Sequence, residues 1–219
     1  MSNPAMRLVV CGTDTDVGKT VVSALVVQGL GASYWKPVQS GLEGGGDSGR
    51  LQALLQLPAE RLLPEAYRLR APVSPHWASA LEGGDPLHPG APIDPQRLNL
   101  PAHSGALVVE TAGGLLVPLR LDLLQIEQLQ RWQLPVLLVA RSGLGTLNHT
   151  LLSLEALRQR AIPVLGVLLN GPPHPNNLST LEHLAGVPIL GCLPPLEAID
   201  TKSLAAQWER LELSHKLQA

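Results

Sequence analysis

The chain has 219 residues, of which 45% are hydrophobic and 16% charged, and this composition predicts one globular domain over 1–219. A formal net charge of −2 offers no basic surface, so we predict neither a nucleic acid nor a membrane partner. The opening MSNPAMRLVV has no signal-peptide pattern, and the two cysteines lie in apolar stretches without zinc-ligand spacing. We therefore expect a cytoplasmic protein whose thiols are reduced and buried.

Short apolar runs alternate with helical patterns along the chain. Strands are predicted at 7–11, 33–38, 106–110, 136–140, 164–169 and 188–192 because these runs lack a polar face. Helices are predicted at 19–29, 48–56, 122–132, 147–160, 177–184 and 203–213. The alternation indicates an α/β fold with a mostly parallel central sheet and helices on both faces. The Pro- and Gly-rich segment 57–104, with short helices at 74–81 and 95–100, is interpreted as an excursion that helps to build a substrate site.

The first predicted strand leads into GTDTDVGKT, which ends like a phosphate-binding loop in Gly18-Lys19-Thr20. The standard form G-x-x-x-x-G-K-S/T would have a glycine at position 13, but the chain has Thr13 there, and Gly12 lies one residue earlier. The strand–loop–helix context is nevertheless that of a P-loop NTPase. Lys19 would then reach the outer phosphates of a nucleotide, and the Thr20 hydroxyl would bind Mg²⁺.

Three charged side chains are predicted near the same edge of the sheet. Lys36, in YWKPVQSG, follows the second strand, and Pro37 fixes the turn there, so Lys36 projects where ligands bind in open α/β sheets. Asp47 begins a helix, where it is either an N-cap or a metal ligand. Glu110 ends a buried strand, where an unpaired carboxylate is costly. With the hydroxyl of the phosphate loop, the two acids would form an oxygen ligand set for Mg²⁺.

Three further turns carry candidate binding groups. The backbone N–H groups of 146–148, after a glycine turn, either bind an anion or form a plain helix cap. Asn170 ends a strand and offers a donor and an acceptor to a nucleobase. The rigid turn Pro194-Pro195 can flank the same base.

Together these stretches resemble the dethiobiotin synthetase family over nearly the whole chain. The matching motifs, in order, are GTDTDVGKT, KPVQSG, an Asp before a helix, SPH, ETAGGLLVPL, GLGTLNHT, LNG and LPPL. The longer phosphate loop, with Thr13, is common in that family. One departure concerns the usual Glu-Gly-Ala-Gly-Gly, because this chain has Thr111 after Glu110, which places a branched side chain beside the expected metal carboxylate.

The resemblance implies an ATP-dependent ligase of biotin synthesis that is a homodimer. One amine of 7,8-diaminononanoate takes up CO₂, the carbamate is phosphorylated by ATP, and the second amine closes the ring. By the same resemblance, Lys36, Lys19 and Thr15 are catalytic, and Thr20, Asp47 and Glu110 hold Mg²⁺.

The resemblance also implies two sets of binding residues. The nucleotide is bound by Asp16, Val17, Gly18, Lys19, Thr20, Val21, Asp47, Glu110, Thr111, Ala112, Gly113, Asn170, Gly171, Pro194, Pro195 and Leu196. The diamine and its carbamate are bound by Thr15, Lys36 and Ser40, with the carboxylate tail at Gly145, Thr146, Leu147 and Asn148 of the neighbouring subunit.

Two other functions share the expected architecture. Partitioning and septum-positioning ATPases usually carry a lysine at the place of Thr13 and lack KPVxSG. An amidotransferring synthetase of cobalamin synthesis needs a glutaminase domain, for which we expect no room in 219 residues. The preference among ATP, CTP and GTP stays open, as does the amine that is carboxylated first.

Overall fold

A computed structural model of the protein describes residues 6–85, 88–89 and 92–217, so parts of MSNPAMRLVV and of the 57–104 segment lie outside the described residues. The strands are β1 (Arg7–Gly12), β2 (Ser33–Trp35), β3 (Val38–Ser40), β4 (Leu62–Leu63), β5 (Tyr67–Leu69), β6 (Gly84–Asp85), β7 (His88–Pro89), β8 (Leu107–Gly114), β9 (Pro118–Arg120), β10 (Leu123–Leu124), β11 (Val136–Arg141), β12 (Val164–Asn170) and β13 (Ile189–Leu193). The helices are α1 (Lys19–Leu30), α2 (Gly46–Leu55), α3 (Pro75–Leu81), α4 (Gln125–Trp132), α5 (Thr146–Gln159), α6 (Pro175–Leu184), α7 (Thr201–Arg210) and α8 (Leu213–Lys216).

The main sheet has seven strands in the order β13-β12-β11-β1-β8-β2-β4, and each neighbouring pair is parallel. Side chains of the central β1 alternate between two apolar clusters: Leu8 and Val10 pack with α1, α2 and α7, while Val9 and Cys11 pack on the side of α4, α5 and α6. The predicted fold class, a mostly parallel sheet covered by helices on both faces, is confirmed. The prediction of one domain with bounds 1–219 stays a prediction.

Two predicted strands have different bounds in the structure, and both differences affect the site. The strand predicted at 33–38 is interrupted around Pro37, which lacks an N–H group, and β3 then leaves the main sheet to pair with β5. The strand predicted at 106–110 continues to Gly114, which still pairs with Gly12 of β1. Glu110 therefore lies within a strand, and the prediction that it ends one was wrong.

Other differences lie near chain turns. The helix predicted at 122–132 begins only at Gln125, after β10, and the one predicted at 95–100 is a 3-10 turn over Pro95–Leu98. The helix predicted at 203–213 is split into α7 and α8, with Glu212 between them in a left-handed conformation (φ 54°). The strands of two or three residues in the 57–124 region are too short to show a period in the sequence.

Two further expectations concern compartment. Cys11 is buried as predicted, whereas Cys192 is only partly buried; both are free thiols. Within the described part of the chain, no helix combines the length and the apolar composition that a membrane crossing requires.

Candidate functional site

The loop between β1 and α1 closes around the side chain of Lys19. Its ammonium group donates to the carbonyl of Asp14 at 2.9 Å. A Cβ atom at Gly12 would lie 2.7 Å from that carbonyl oxygen and 3.0 Å from Lys19 Nζ, so a side chain there would displace the loop. Burial lowers the pKa of Lys19. The early glycine is therefore required by the path of the loop around this lysine.

The start of α1 presents free backbone donors. Its N-cap is Gly18, in a left-handed conformation (φ 92°), and no acidic residue lies in the first turn. The first N–H groups of a helix have no partner within the helix, and the helix dipole favours negative charge beside them. This end of α1 is therefore suited to bind phosphate.

Asn170, the last residue of β12, supports the loop from behind. Its Nδ2 donates to the carbonyl of Val17 at 3.0 Å. A Cβ atom at Gly18 would lie 2.0 Å from that nitrogen, so only glycine fits there. This bond uses one N–H of the amide, so the predicted contact of Asn170 with a base can use its second N–H or its carbonyl oxygen.

Five side chains beside the loop form what we call the carboxylate cluster: Thr20, Tyr34, Lys36, Asp47 and Glu110. Lys36 Nζ lies 2.6 Å from Asp47 Oδ2 and 3.0 Å from Glu110 Oε1. The Thr20 hydroxyl donates to Glu110 Oε1 at 3.0 Å, and the Tyr34 hydroxyl donates to Glu110 Oε2 at 3.0 Å. Glu110 is fully buried, and both of its oxygens are thus hydrogen-bonded.

The charges of the cluster support each other. Burial alone would lower the pKa of Lys36, but the charges of Glu110 and Asp47 outweigh it and raise this pKa. Burial alone would raise the pKa of Asp47, but the charge and hydrogen bond of Lys36 outweigh it and lower this pKa. Burial, aided by the negative Glu110, raises the pKa of Tyr34 well above its ordinary value. The lysine is therefore held as a cation and Asp47 as an anion.

The oxygen atoms of the cluster fit a magnesium ion. Asp47 Oδ2 and Glu110 Oε1 converge on one cation, Lys36 Nζ, and Thr20 Oγ1 lies 3.0 Å from the same Glu110 oxygen. Hard oxygen donors of this kind suit Mg²⁺. Among the described residues, no three His, Cys, Asp or Glu side chains cluster as a metal site. The ion would therefore need phosphate oxygens and water as further ligands.

A cavity of about 920 Å³ joins the phosphate loop to the carboxylate cluster. Twelve of the predicted site residues line it: Thr15, Asp16, Gly18, Lys19, Thr20, Val21, Lys36, Ser40, Asp47, Glu110, Ala112 and Gly113. The Ser40 hydroxyl is buried and makes no hydrogen bond within the described residues. The cavity lining thus includes two lysines, the carboxylates of the cluster and the Ser40 hydroxyl, which is available to a ligand.

Comparisons with known proteins match most of the chain. The family model described as an AAA domain matches residues 6–203. A protein of Rhodopseudomonas palustris (strain BisB18), named ATP-dependent dethiobiotin synthetase BioD, is 48% identical over 203 residues, which are 93% of this chain and 94% of the relative. The chain belongs to the dethiobiotin synthetase family. A relative of the same name from Bradyrhizobium sp. (strain BTAi1) is 48% identical and covers 96% of this chain and 99% of its own length.

Solved structures show the same fold at low sequence identity. The septum site-determining protein MinD of Pyrococcus horikoshii, complexed with Mg-ADP, is 14% identical with a TM-score of 0.56, and the match covers 98% of this chain and 99% of that one. The MinC:MinD complex of Aquifex aeolicus gives the same TM-score at 14% identity, with 98% and 96% covered. At this identity the likeness establishes the fold alone.

Thr111, which departs from the usual family pattern, directs its hydroxyl away from the carboxylate cluster. Thr111 is fully buried, and its hydroxyl lies 3.5 Å from the carbonyl oxygen of Val10 and 3.4 Å from that of Gly113. Its side chain is thus accommodated between β8 and β1. The carboxylate of the preceding residue, Glu110, contacts the other members of the cluster, namely Thr20, Tyr34 and Lys36.

Some predicted site residues do not line the cavity within one chain. They are Val17, Thr111, Asn170, Gly171, Pro194, Pro195, Leu196, Gly145, Thr146, Leu147 and Asn148. Gly145 caps α5, with φ 90°, and the Thr146 hydroxyl pairs with that of Thr150 at 3.3 Å. Gly145 and Asn148 are exposed, so the anion-binding role of this helix start stays a prediction.

Three contacts at the site involve residues to which the sequence analysis assigned no role. Tyr34 binds Glu110, and its place two residues before Lys36 on the same chain segment was the signal available for it. Arg141, at the end of β11, donates to the carbonyl of Thr15 at 3.1 Å. Gln39, in β3, bonds to both ends of the glycine-rich segment before α2.

Proposed function

We propose that this protein is an ATP-dependent dethiobiotin synthetase, a C–N bond-forming cyclo-ligase that acts on 7,8-diaminononanoate in biotin synthesis. The observation that carries the proposal is that Lys19 and Lys36 line one cavity together with Thr15 and Ser40. Such a cavity can bring two anions, a nucleotide phosphate and a carbamate, together beside two cations. The names of the relatives support the same reaction.

The reaction needs three bond changes. CO₂ adds to one amine with loss of a proton, which gives a carbamate. A carbamate oxygen attacks the γ-phosphorus of ATP, and the bond to ADP breaks. The second amine then attacks the carbonyl carbon of the mixed carbamic–phosphoric anhydride, and phosphate and a proton leave as the ring closes.

The residues meet the electrostatic demands of these steps. Lys19 and the N–H groups at the start of α1 bind the nucleotide phosphates, and Lys36 faces the carbamate and the transferred phosphoryl group. Thr20, Asp47 and Glu110 would hold Mg²⁺, which when bound neutralises phosphate charge. The ammonium group of Lys36 is held in place before a ligand binds, because it is paired with Asp47 and Glu110.

The acceptor is proposed to bind at Thr15 and Ser40, and the nucleobase at Asn170, Gly171 and the 194–196 turn. Support for the acceptor site comes from the buried Ser40 hydroxyl, which has no other partner within the described residues. Support for a base site comes from the carbonyl oxygen of Asn170, which stays available when its nitrogen binds the loop. That oxygen is an acceptor for an exocyclic amino group, as adenine carries.

We further propose a cytoplasmic homodimer in which Gly145–Asn148 of one subunit bind the carboxylate tail of the diamine held by the other. An apolar surface supports this assembly. Leu116, Leu144 and Leu152 are highly exposed, and a second cavity of about 400 Å³ lies between the 114–118 segment and α5. Exposed leucines grouped in this way are typical of an interface. Two free thiols support the compartment.

The test is a balance of substrates and products. The purified protein should consume ATP only when diaminononanoate and bicarbonate are both present, and mass spectrometry should detect dethiobiotin in equal amount to ADP. ATP turnover that needs neither substrate and gives no ring-closed product would reject the proposal. Sedimentation at catalytic concentration tests the dimer separately.

A further inference from the structure

Gln39 connects two parts of the site that the chain itself joins only through a glycine-rich segment. It is the central residue of β3, and only 4% of its surface is exposed. Its Nε2 donates to the carbonyls of Ser40 and Gly41, each at 2.9 Å. Its Oε1 accepts from the backbone N–H of Asp47, also at 2.9 Å. One side chain thus bonds to a proposed substrate residue and to a proposed metal ligand.

The segment that Gln39 spans is rich in glycine, and it also contains a 3-10 turn over Glu43–Gly45, whose Glu43 carbonyl accepts from Arg50 at 3.4 Å. Residues 41–46 read GLEGGG, and all four of these glycines adopt positive φ angles, from 62° to 84°. Glycine has the widest conformational freedom of any residue, so such a segment is costly to order. The Gln39 side chain and its three hydrogen bonds are called the clamp below. Gly46 packs directly on it, because a Cβ atom at Gly46 would lie 2.9 Å from Gln39 Cδ.

The same contact completes the start of α2. The N-cap of α2 is Gly45, which has no side chain to accept from the first N–H groups. Gln39 Oε1, from strand β3, is the acceptor for the backbone N–H of Asp47. The bond is made by the backbone of the same residue, Asp47, whose carboxylate lies 2.6 Å from Lys36 Nζ.

We infer that Gln39 is a positioning residue of the synthetase site, which sets Ser40 and Asp47 relative to each other. The inference deepens the proposed function and rests on it for the identity of the acceptor. Loss of the clamp should act through both residues. A displacement of about 1 Å at a reacting centre can reduce turnover about 10²-fold.

The first test is Gln39→Met, which keeps the length of the side chain and removes all three hydrogen bonds. We expect kcat/KM for diaminononanoate to fall about tenfold to 10²-fold. We also expect the gain in ADP affinity on adding Mg²⁺, measured by calorimetry, to shrink severalfold, with metal-free ADP affinity retained. A matched control is Gln128→Met in α4, where a buried Gln donates to the Leu98 carbonyl at 3.3 Å, away from the cavity.

A second variant separates the two ends of the clamp. Gln39→Glu keeps an acceptor for the Asp47 N–H but turns an oxygen toward the carbonyls of Ser40 and Gly41. It should raise the KM for diaminononanoate while the magnesium-linked gain in ADP affinity is kept. If Gln39→Met does not fold, this variant decides alone.

The inference is overturned if Gln39→Met keeps both kcat/KM and the magnesium-linked gain. It is also overturned if both change only as much as in Gln128→Met, in step with the loss of thermal stability, or if Gln39→Glu leaves the KM unchanged. Failure of the proposed function is a different result. In that case the wild-type protein makes no dethiobiotin, and the magnesium-linked affinity for ADP still shows whether Gln39 positions Asp47.

Discussion

The phosphate loop and the carboxylate cluster each contain a buried lysine, but the pKa values of the two lysines are shifted in opposite directions. Lys19 donates to a neutral carbonyl, and burial lowers its pKa. Lys36 lies between two carboxylates, whose charges outweigh burial and raise its pKa. The first lysine has charge to offer an incoming anion, whereas the second has its charge matched before any ligand arrives.

The difference predicts that the fold depends on Lys36 more than on Lys19, although both lysines are proposed to act on ligands. A buried ion pair adds little net stability, but removing one partner leaves an uncompensated charge and is strongly destabilising. The carboxylate cluster therefore needs its lysine to fold well. The ammonium group of Lys19 is bonded to a neutral carbonyl, which leaves its charge unmatched by that partner, as expected of a group that binds a polyanionic substrate.

The largest effect is expected from Lys19→Met. Loss of this cation should reduce turnover about 10³-fold, because its charge is proposed to face the transferred phosphates. Stability in urea should stay close to that of the wild type, since the partner lost is a neutral carbonyl. ADP release measures turnover, calorimetry measures the affinity for ATP, and urea titration measures stability. The exposed Lys202→Met in α7 is the control. Wild-type ATP affinity in Lys19→Met would remove its assigned role.

Lys36→Gln should reduce both turnover and stability, whereas Lys19→Met should reduce mainly turnover. Turnover should fall about 10²-fold or more because charge at the carbamate and phosphoryl group is lost. The free energy of unfolding should fall by about 3–5 kcal/mol, since Glu110 is left buried without its cation. Urea titration beside Lys19→Met is the decisive comparison. Equal stability of the two variants would contradict the distinction drawn between the lysines, and near-normal turnover would remove Lys36 from the catalytic residues.

The meeting of these residues could be predicted from sequence, because the motifs that carry them were expected near one edge of the sheet. Lys19, Thr20, Lys36, Asp47 and Glu110 do meet, as the motifs indicated. The place of Glu110 within β8 could not be predicted, because the strand continues through Ala and Gly residues whose pairing depends on β1.

Other contacts depend on tertiary structure that a single sequence does not reveal. Tyr34 looks like an ordinary buried aromatic residue until the position of Glu110 is known. The clamp by Gln39 connects residues across a glycine segment whose path has no sequence signature. Arg141 reaches the phosphate loop only because β11 lies beside β1 in the sheet. In each case the sequence indicated the site residue but not the role of the residue that contacts it.

Tyr34→Phe tests whether Glu110 needs a third donor besides Lys36 and Thr20. A hydrogen bond to a charged group contributes about 1.5–3 kcal/mol, and the free energy of unfolding should fall by that amount. The matched control is Tyr67→Phe, because the Tyr67 hydroxyl accepts from the backbone N–H of Asp94 at 2.7 Å, a neutral partner. That loss should cost only about 0.5–1.5 kcal/mol. An equal loss in both variants would mean that the charge on Glu110 adds nothing to the bond.

The smallest effect is expected where the phosphate loop meets Arg141. This side chain is 53% exposed, lies 3.3 Å from Asp14 Oδ2 and donates to the carbonyl of Thr15, which lines the cavity. Exposed ion pairs contribute at most about 1 kcal/mol, so Arg141→Gln should raise the KM for diaminononanoate no more than about fivefold and leave kcat and stability unchanged. Arg120→Gln, which breaks the exposed pair with Asp122, is the control.

Salt gives an independent check on the Arg141 contact. Ionic screening over a few ångströms at about 1 M salt should weaken the pair and bring the wild-type KM toward that of Arg141→Gln. The carboxylate cluster should not respond in this way, because buried pairs are screened much less. A KM difference that persists unchanged at high salt would show that Arg141 acts through its hydrogen bond to the Thr15 carbonyl rather than through the charge of Asp14.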